Sequence, residues 1–319
     1  MRSRADHCYR PSSVDRRYQP KPPAPNRTYS TRSQPGHAAR YNAGQSPPYR
    51  AGRWNCFPVS VLRVFLLALP LCLAACTTAP PPKPAPNPDA LWGVIQRDCV
   101  GTDTPRGSCL AVSTAPERRD VLVKDTHGDY QFLLMPLDKV SGIESPDLLQ
   151  AGTPNYFAAA WQARAYTERA LGQPLPRDVA SLALNSAHGR SQNQLHIHVD
   201  CLRADIRDQL QAMQPAIGPT WQPLPQPLRG HVYQARRLDG ETLTADPIRL
   251  LADDLAAPGE MGRWSLVVVG QGDDARAPGF VLLATQADAD AGHQASGEEL
   301  QDHACAVLTG ASQALDGVR

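Results

Sequence analysis

A run of apolar residues from Val64 to Leu73 partitions the chain before any fold is considered: Arg53 and Arg63 precede it, and Leu73-Ala74-Ala75-Cys76 ends it. The run is too short to span a bilayer comfortably by itself. A charged flank, an apolar core and small residues at a cleavage point are the marks of an export signal. Residues 1–52 hold Arg, Pro, Ser, Tyr and Gln with almost no aliphatic runs. Such a stretch buries too little apolar surface to offset its ordering entropy, so it reads as a disordered basic leader. Residues 1–75 carry 12 of the 32 Lys/Arg and 2 of the 31 Asp/Glu, leaving 20 against 29 for residues 76–319. The part that folds is therefore acidic. That balance disfavours a polyanion-binding module, and no nucleic-acid partner is expected.

The segment 53–76 allows two forms of membrane attachment. The cysteine after small residues resembles the bacterial lipobox, in which Cys76 is acylated and becomes the mature N-terminus. Residues 77–89, rich in proline, are then a stiff tether. The alternative is an uncleaved anchor helix extended over residues 57–75. Either way the domain is expected in a bacterial cell envelope, membrane-attached and facing the periplasm. The long stretch ahead of Arg53 is unusual for a signal, and a start codon placed too far upstream is the expected explanation. Of eight cysteines, Cys8, Cys56, Cys72 and Cys76 fall in the leader. Cys99, Cys109, Cys201 and Cys305 remain, an even set that predicts two disulfides in an oxidising compartment. The Gly/Pro-containing stretch Gly101–Ser108 can turn back locally, so Cys99–Cys109 is the expected bridge and Cys201–Cys305 follows. A structural zinc site is the rival, without CxxC spacing to support it.

Beyond the tether, apolar spacing predicts an opening helix over Ala90–Cys99 and a hairpin of Val121–Lys124 with Tyr130–Pro136. A long helix follows over Tyr156–Leu171, with Gly172-Gln173-Pro174 as its stop. Strands are expected at Val179–Asn185, Gln194–Val199, Gly230–Arg237, Trp264–Gly270 and Gly279–Thr285. Helices are expected at Arg203–Met213 and, closing the chain, at Ser296–Leu308. Strands grouped around helices without regular alternation predict an α+β domain over residues 90–312, a mostly antiparallel sheet with packed helices. Residues 313–319 are a tail.

The chemistry concentrates in Asn193-Gln194-Leu195-His196-Ile197-His198-Val199, where polar and apolar residues alternate. On a strand, Gln194, His196 and His198 share one face, with the imidazoles about 7 Å apart. Upstream, Asn185 and the turn Gly189-Arg190-Ser191 offer amide, backbone N–H, guanidinium and hydroxyl donors. Donors that hold non-bridging oxygens beside a neutral imidazole suit attack on phosphorus. Two other readings stand beside this one: surface or structural histidines, and a metal pair completed by His188, His231 or Asp200. No HExxH-type spacing supports the metal. Arg229, His231, Tyr233 and Arg236 form a second basic and aromatic group, with His231 and Tyr233 on one strand face where a pyrophosphate or cytosine would be met.

The segment from Asn185 to Val199 resembles the histidine-triad signature, His-φ-His-φ-His-φ-φ, with Gln194 in the first histidine place. More specifically, the chain is similar to bacterial CDP-diacylglycerol pyrophosphatases. The matching stretches are Tyr130–Pro146, Thr153–Arg164, Ser181–Arg203, Leu228–Arg237, Phe280–Gln286 and Glu298–Cys305. The resemblance implies a histidine-triad-like fold and hydrolysis of CDP-diacylglycerol to CMP and phosphatidate, in phospholipid metabolism. It places the nucleophile on His196, which would form a nucleotidyl-histidine, and a phosphate or leaving-oxygen contact on His198. Asn185, Arg190, Ser191 and Gln194, with His231 and Tyr233, are the expected substrate contacts, and Gln194 would orient His196 through its amide. The expected partners are CDP-diacylglycerol and membrane lipid. No cofactor, metal or obligatory protein partner is expected. A non-catalytic lipid-binding lipoprotein and a metal-dependent phosphodiesterase are the competing functions.

Overall fold

The computed structural model describes residues 87–101, 104–272 and 277–310. The leader, the segment ending at Cys76, most of the tether and the tail lie outside the described residues. Among the described residues no helix is long and apolar enough to cross a membrane.

Among the described residues nine strands form one sheet in which every neighbouring pair is antiparallel. In chain order they are β1 (Cys109–Ser113), β2 (Asp120–Lys124), β3 (Phe132–Pro136), β4 (Ala180–Leu184), β5 (Ile197–Cys201), β6 (Gln222–Pro223), β7 (Gln234–Asp239), β8 (Trp264–Gln271) and β9 (Gly279–Gln286). Their order across the sheet is β1-β2-β3-β5-β4-β8-β9-β7-β6. The helices are α1 (Ala90–Val94), which continues as a π-helical turn over Ile95–Val100, α2 (Tyr156–Leu171), α3 (Ala204–Met213), α4 (Pro247–Asp254) and α5 (Ala306–Thr309).

Period-2 alternation splits the sheet into two faces. On one face Leu122, Phe132, Leu134, Leu182, Ile197, Val199, Val268 and Leu282 pack with Phe157, Ala160 and Trp161 of α2. Helix α2 starts where Asn155 accepts a hydrogen bond from Ala158 N at 3.0 Å, and it stops at Gly172, whose φ of 68° suits only a residue without Cβ strain. The opposite face carries two separate apolar clusters. Val121, Val123, Leu133 and Met135 pack under Ile95 and the Cys99–Cys109 pair. Ala183, Val267, Val269, Val281 and Leu283 pack under α3. Between them runs β5, which presents His198 and Asp200 to this face. A polar seam thus divides two hydrophobic clusters in mid-sheet.

Both disulfides are present, Cys99–Cys109 and Cys201–Cys305, with Cα–Cα distances of 5.5 and 5.4 Å. Three expected elements differ. Strand β5 begins at Ile197 rather than Gln194. Its ladder with β3 ends at the Ile197–Leu134 pair, and the Leu195 N–H donates instead to Val140 O at 2.6 Å, outside β3. Strand β7 begins at Gln234, not Gly230, because residues 228–231 form a tight turn, with Arg229 and Gly230 at φ 51° and 85°. The expected closing helix is broken: a 3-10 turn covers Gly297–Leu300 and α5 begins only at Ala306. Cys305, tied to Cys201, takes φ 49°, and Asp302 Oδ2 caps Ala306 N at 2.8 Å.

Gly270 on β8 marks where α2 approaches the sheet, since a Cβ there would meet the Trp161 ring and Arg177 O. Gly270→Ala is expected to cost about 1–3 kcal/mol through forced displacement of that ring, read as a lower urea midpoint.

Candidate active site

His196 and His198 line a cavity of about 670 Å³ at the polar seam, together with Asn185, His188, Arg190, Ser191 and Glu298. The floor is β5, where His198 is paired with Leu133 of β3 and Ala183 of β4. One wall is the turn after β4. Ser186 Oγ builds it by accepting from His188 N and Gly189 N at 3.0 and 2.9 Å and donating to Gln294 O at 2.5 Å. The two imidazoles meet edge to face, with ring centroids 4.8 Å apart. Residues Ala90, Leu91 and Val94 of α1 form an apolar rim.

Hydrogen bonds fix the tautomer of His196, and the Gln131 amide sets that of His198. His196 Nδ1 lies 2.6 Å from the backbone oxygen of Gln194, an acceptor only, so Nδ1 carries the proton. The lone pair is then on Nε2, which has no protein partner among the described residues. His198 Nδ1 lies 3.0 Å from Gln131 Nε2 and 3.1 Å from Glu298 Oε1. The Gln131 amide nitrogen also donates to Glu298 Oε1 at 3.3 Å, so its two protons bridge both acceptors. With the Gln131 amide oriented as the donor to Nδ1, that nitrogen is the acceptor. In that arrangement neutral His198 carries its proton on Nε2, a buried donor without a protein acceptor among the described residues. Burial depresses both imidazoles below their usual value: for His196 it outweighs the Gln194 carbonyl and the Glu298 charge, and for His198 it is reinforced by His196.

A supporting ring of polar groups holds this pair. Asn185 Nδ2 donates to Glu298 Oε2 at 2.6 Å, so the amide secures Glu298 rather than standing free. The guanidinium of Arg190 makes two 2.7 Å hydrogen bonds to the Glu144 carboxylate. Burial alone would raise the Glu144 carboxyl, but the bonds from Arg190 and Ser141 outweigh it and hold the group below its usual value. Ser191 lies exposed on the cavity wall.

Three of the expected contacts lie elsewhere. Gln194 is fully buried outside the cavity, its amide donating to Pro136 O and Asp138 O at 3.1 and 3.0 Å. It is off the strand, so the alternation that would set it beside the histidines does not apply. Its contribution to His196 comes from its backbone oxygen, which any residue would supply. Tyr233 is buried with its hydroxyl on Glu299, and His231 stacks on His293; neither lines the cavity. Of the residues considered as a third metal ligand, Asp200 bonds His303 Nδ1 at 2.5 Å, and burial lifts its carboxyl to about 6. Among the described residues, neither His196 nor His198 belongs to a group of three side chains close enough to hold one ion.

Gln131, Glu144 and Glu298 escaped sequence reasoning. Gln131 and Glu298 reach His198 across 67 and 100 residues of chain, and no spacing rule relates them. Gln131→Leu should free His198 Nδ1, let the ring take the other tautomer, and lower kcat by up to about 10⁴-fold with a much smaller change in KM. Steady-state kinetics of the variant checks it.

Residues 86–309 match the family model described as CDP-diacylglycerol pyrophosphatase, a span that includes the nine described strands, His196 and His198. The chain belongs to the CDP-diacylglycerol pyrophosphatase family, hydrolases that act on CDP-diacylglycerol.

Proposed function

We propose that the chain hydrolyses the pyrophosphate bond of CDP-diacylglycerol to CMP and phosphatidate through a nucleotidyl-histidine on His196, in the manner of histidine-triad proteins and on a related fold. The observation that carries the reading is the 2.6 Å bond from His196 Nδ1 to Gln194 O, which leaves the Nε2 lone pair available on a ring that lines the cavity. In the first step Nε2 attacks the cytidylyl phosphorus, the bridging P–O bond breaks, and its electron pair leaves with phosphatidate. In the second step water attacks the same phosphorus, the N–P bond breaks, CMP departs, and the water's proton passes to solvent. His198 donates its Nε2–H to a phosphate oxygen, satisfying a donor that otherwise lies buried and unpaired. Arg190, its charge paired with Glu144, and Ser191 supply guanidinium and hydroxyl donors on the cavity wall, and Asn185 acts through Glu298. Attachment to the membrane on the periplasmic side, by acylated Cys76 or by an uncleaved anchor, presents this cavity to a lipid whose acyl chains stay in the bilayer.

Hydrolysis in ¹⁸O-labelled water tests which phosphorus is attacked. The label is expected in CMP and absent from phosphatidate; label in phosphatidate would place the attack on the other phosphorus and remove the role assigned to His196.

The depressed imidazoles also set a pH dependence. The unfolded rings titrate near ~6.5, and the folded ones lower. The nucleophile stays neutral through that range, so the acid limb of kcat/KM is expected below pH ~6.5. Stability follows the same sign: the contribution of the neutral pair is complete above the unfolded value and is lost as pH falls toward the folded values, because the unfolded chain takes up protons first. A pH–rate profile alongside melting curves checks both.

A further inference from the structure

We infer that His231, His293 and Glu299 form a binding site for a divalent transition-metal cation of the zinc type, separate from the cavity histidines. One nitrogen of each imidazole and one carboxylate oxygen lie within 4.8 Å of one another. The three residues come from three chain segments: the turn before β7, the turn after β9 closed by the Asp288–His293 bridge, and the 3-10 turn Gly297–Leu300. Two imidazoles and one carboxylate are a ligand set that Zn²⁺ takes, with a fourth position left to water.

The surrounding hydrogen bonds leave each of these side chains a lone pair. Thr285 has one hydroxyl proton and donates it to Val232 O at 2.8 Å. At His293 Nε2, 3.0 Å away, the hydroxyl can therefore only accept, so neutral His293 carries its proton there and keeps a lone pair on Nδ1. Tyr233 donates its hydroxyl to Glu299 Oε1 at 2.5 Å, which leaves Oε2 for a cation. His231 Nε2 lies 3.5 Å from Oε2, long for a hydrogen bond. Outer partners of this kind, a hydroxyl on the second imidazole nitrogen and another on the second carboxylate oxygen, orient ligands and tune their basicity. The rings now stack, with centroids 3.7 Å apart and planes 17° from parallel. Ligation requires them to turn so that their in-plane lone pairs converge, and His231, in a turn and with its side chain 30% exposed, is the ring able to do so.

The location gives the site a consequence. Gln294, next to His293, lines the catalytic cavity, and Glu298, next to Glu299, holds Asn185 and Gln131. A cation shared by His231, His293 and Glu299 clamps the two turns that carry this wall and stabilises the folded chain by mass action.

The test uses the full chain and Zn²⁺ alone, read by calorimetric titration and by melting temperature. One Zn²⁺ per chain and a raised melting temperature are expected for the wild type, with both lost in His293→Ala and in Glu299→Gln. Tyr233→Phe keeps the buried ring and should weaken affinity by roughly 10- to 100-fold. The inference is overturned if the wild type takes up no Zn²⁺, if uptake survives both ligand variants, or if uptake disappears in His196→Ala, which would put the cation on the catalytic pair. Should the ligand variants fail to fold, Co²⁺ added to the wild type decides: an intense tetrahedral absorption spectrum supports the site, and the weak spectrum of hydrated Co²⁺ removes it.

Discussion

His196→Ala should abolish CMP release, lowering kcat by roughly 10⁴- to 10⁶-fold, the scale on which enzymes lose turnover when a covalent nucleophile is removed. The melting temperature should change little. The flanking Leu195 and Ile197 belong to the core on the α2 side and are untouched, whereas the imidazole itself lines the cavity. His198→Ala should be less severe, because it removes a donor to phosphate without removing the atom that forms the bond; a loss of about 10²- to 10⁴-fold is expected. Turnover by His196→Ala within tenfold of wild type would contradict the assignment.

Removing the Cys201–Cys305 bridge should cost more stability than removing Cys99–Cys109. The first closes a sequence separation of 104 residues and the second one of 10. In the chain-entropy account these loops are worth about 4.7 and about 2.7 kcal/mol. Cys201→Ser with Cys305→Ser should therefore lower the melting temperature by roughly 10 °C or more for a domain of this size. The bridge also anchors the end of β5 three residues from His198, so activity should fail at a lower temperature in parallel. Calorimetry of the two double variants checks the order; a larger loss from the Cys99–Cys109 pair would contradict it.

Local signals were legible where local chemistry decides the outcome. The Asn155 cap and Gly172 bound α2, and the apolar runs around Asp125–Asp129 predict the β2–β3 hairpin. Alternation along Ile197–Cys201 sends Ile197 and Val199 to the core and His198 to the seam. Tertiary pairing decides the rest. Gln194 lies off the strand because the chain there bonds to distant segments, its amide to Pro136 O, 58 residues away, and the Leu195 N–H to Val140 O. Gln131 and Glu298 acquire meaning only when β5, the segment after β3's hairpin turn and the Gly297–Leu300 turn converge. His231 and Tyr233 form a polar cluster, as their composition suggests, but the turn at 228–231 aims them at Glu299 and His293 rather than at the cavity.

Rapid quench of the wild-type chain with CDP-diacylglycerol labelled in the cytidylyl phosphate, followed by peptide mapping under alkaline conditions that preserve phosphoramidates, tests the central claim most directly. The account predicts an acid-labile CMP adduct on His196, formed at a rate no slower than turnover and absent from His196→Ala. Steady turnover with no adduct at any time, or an adduct on His198 instead, would contradict it.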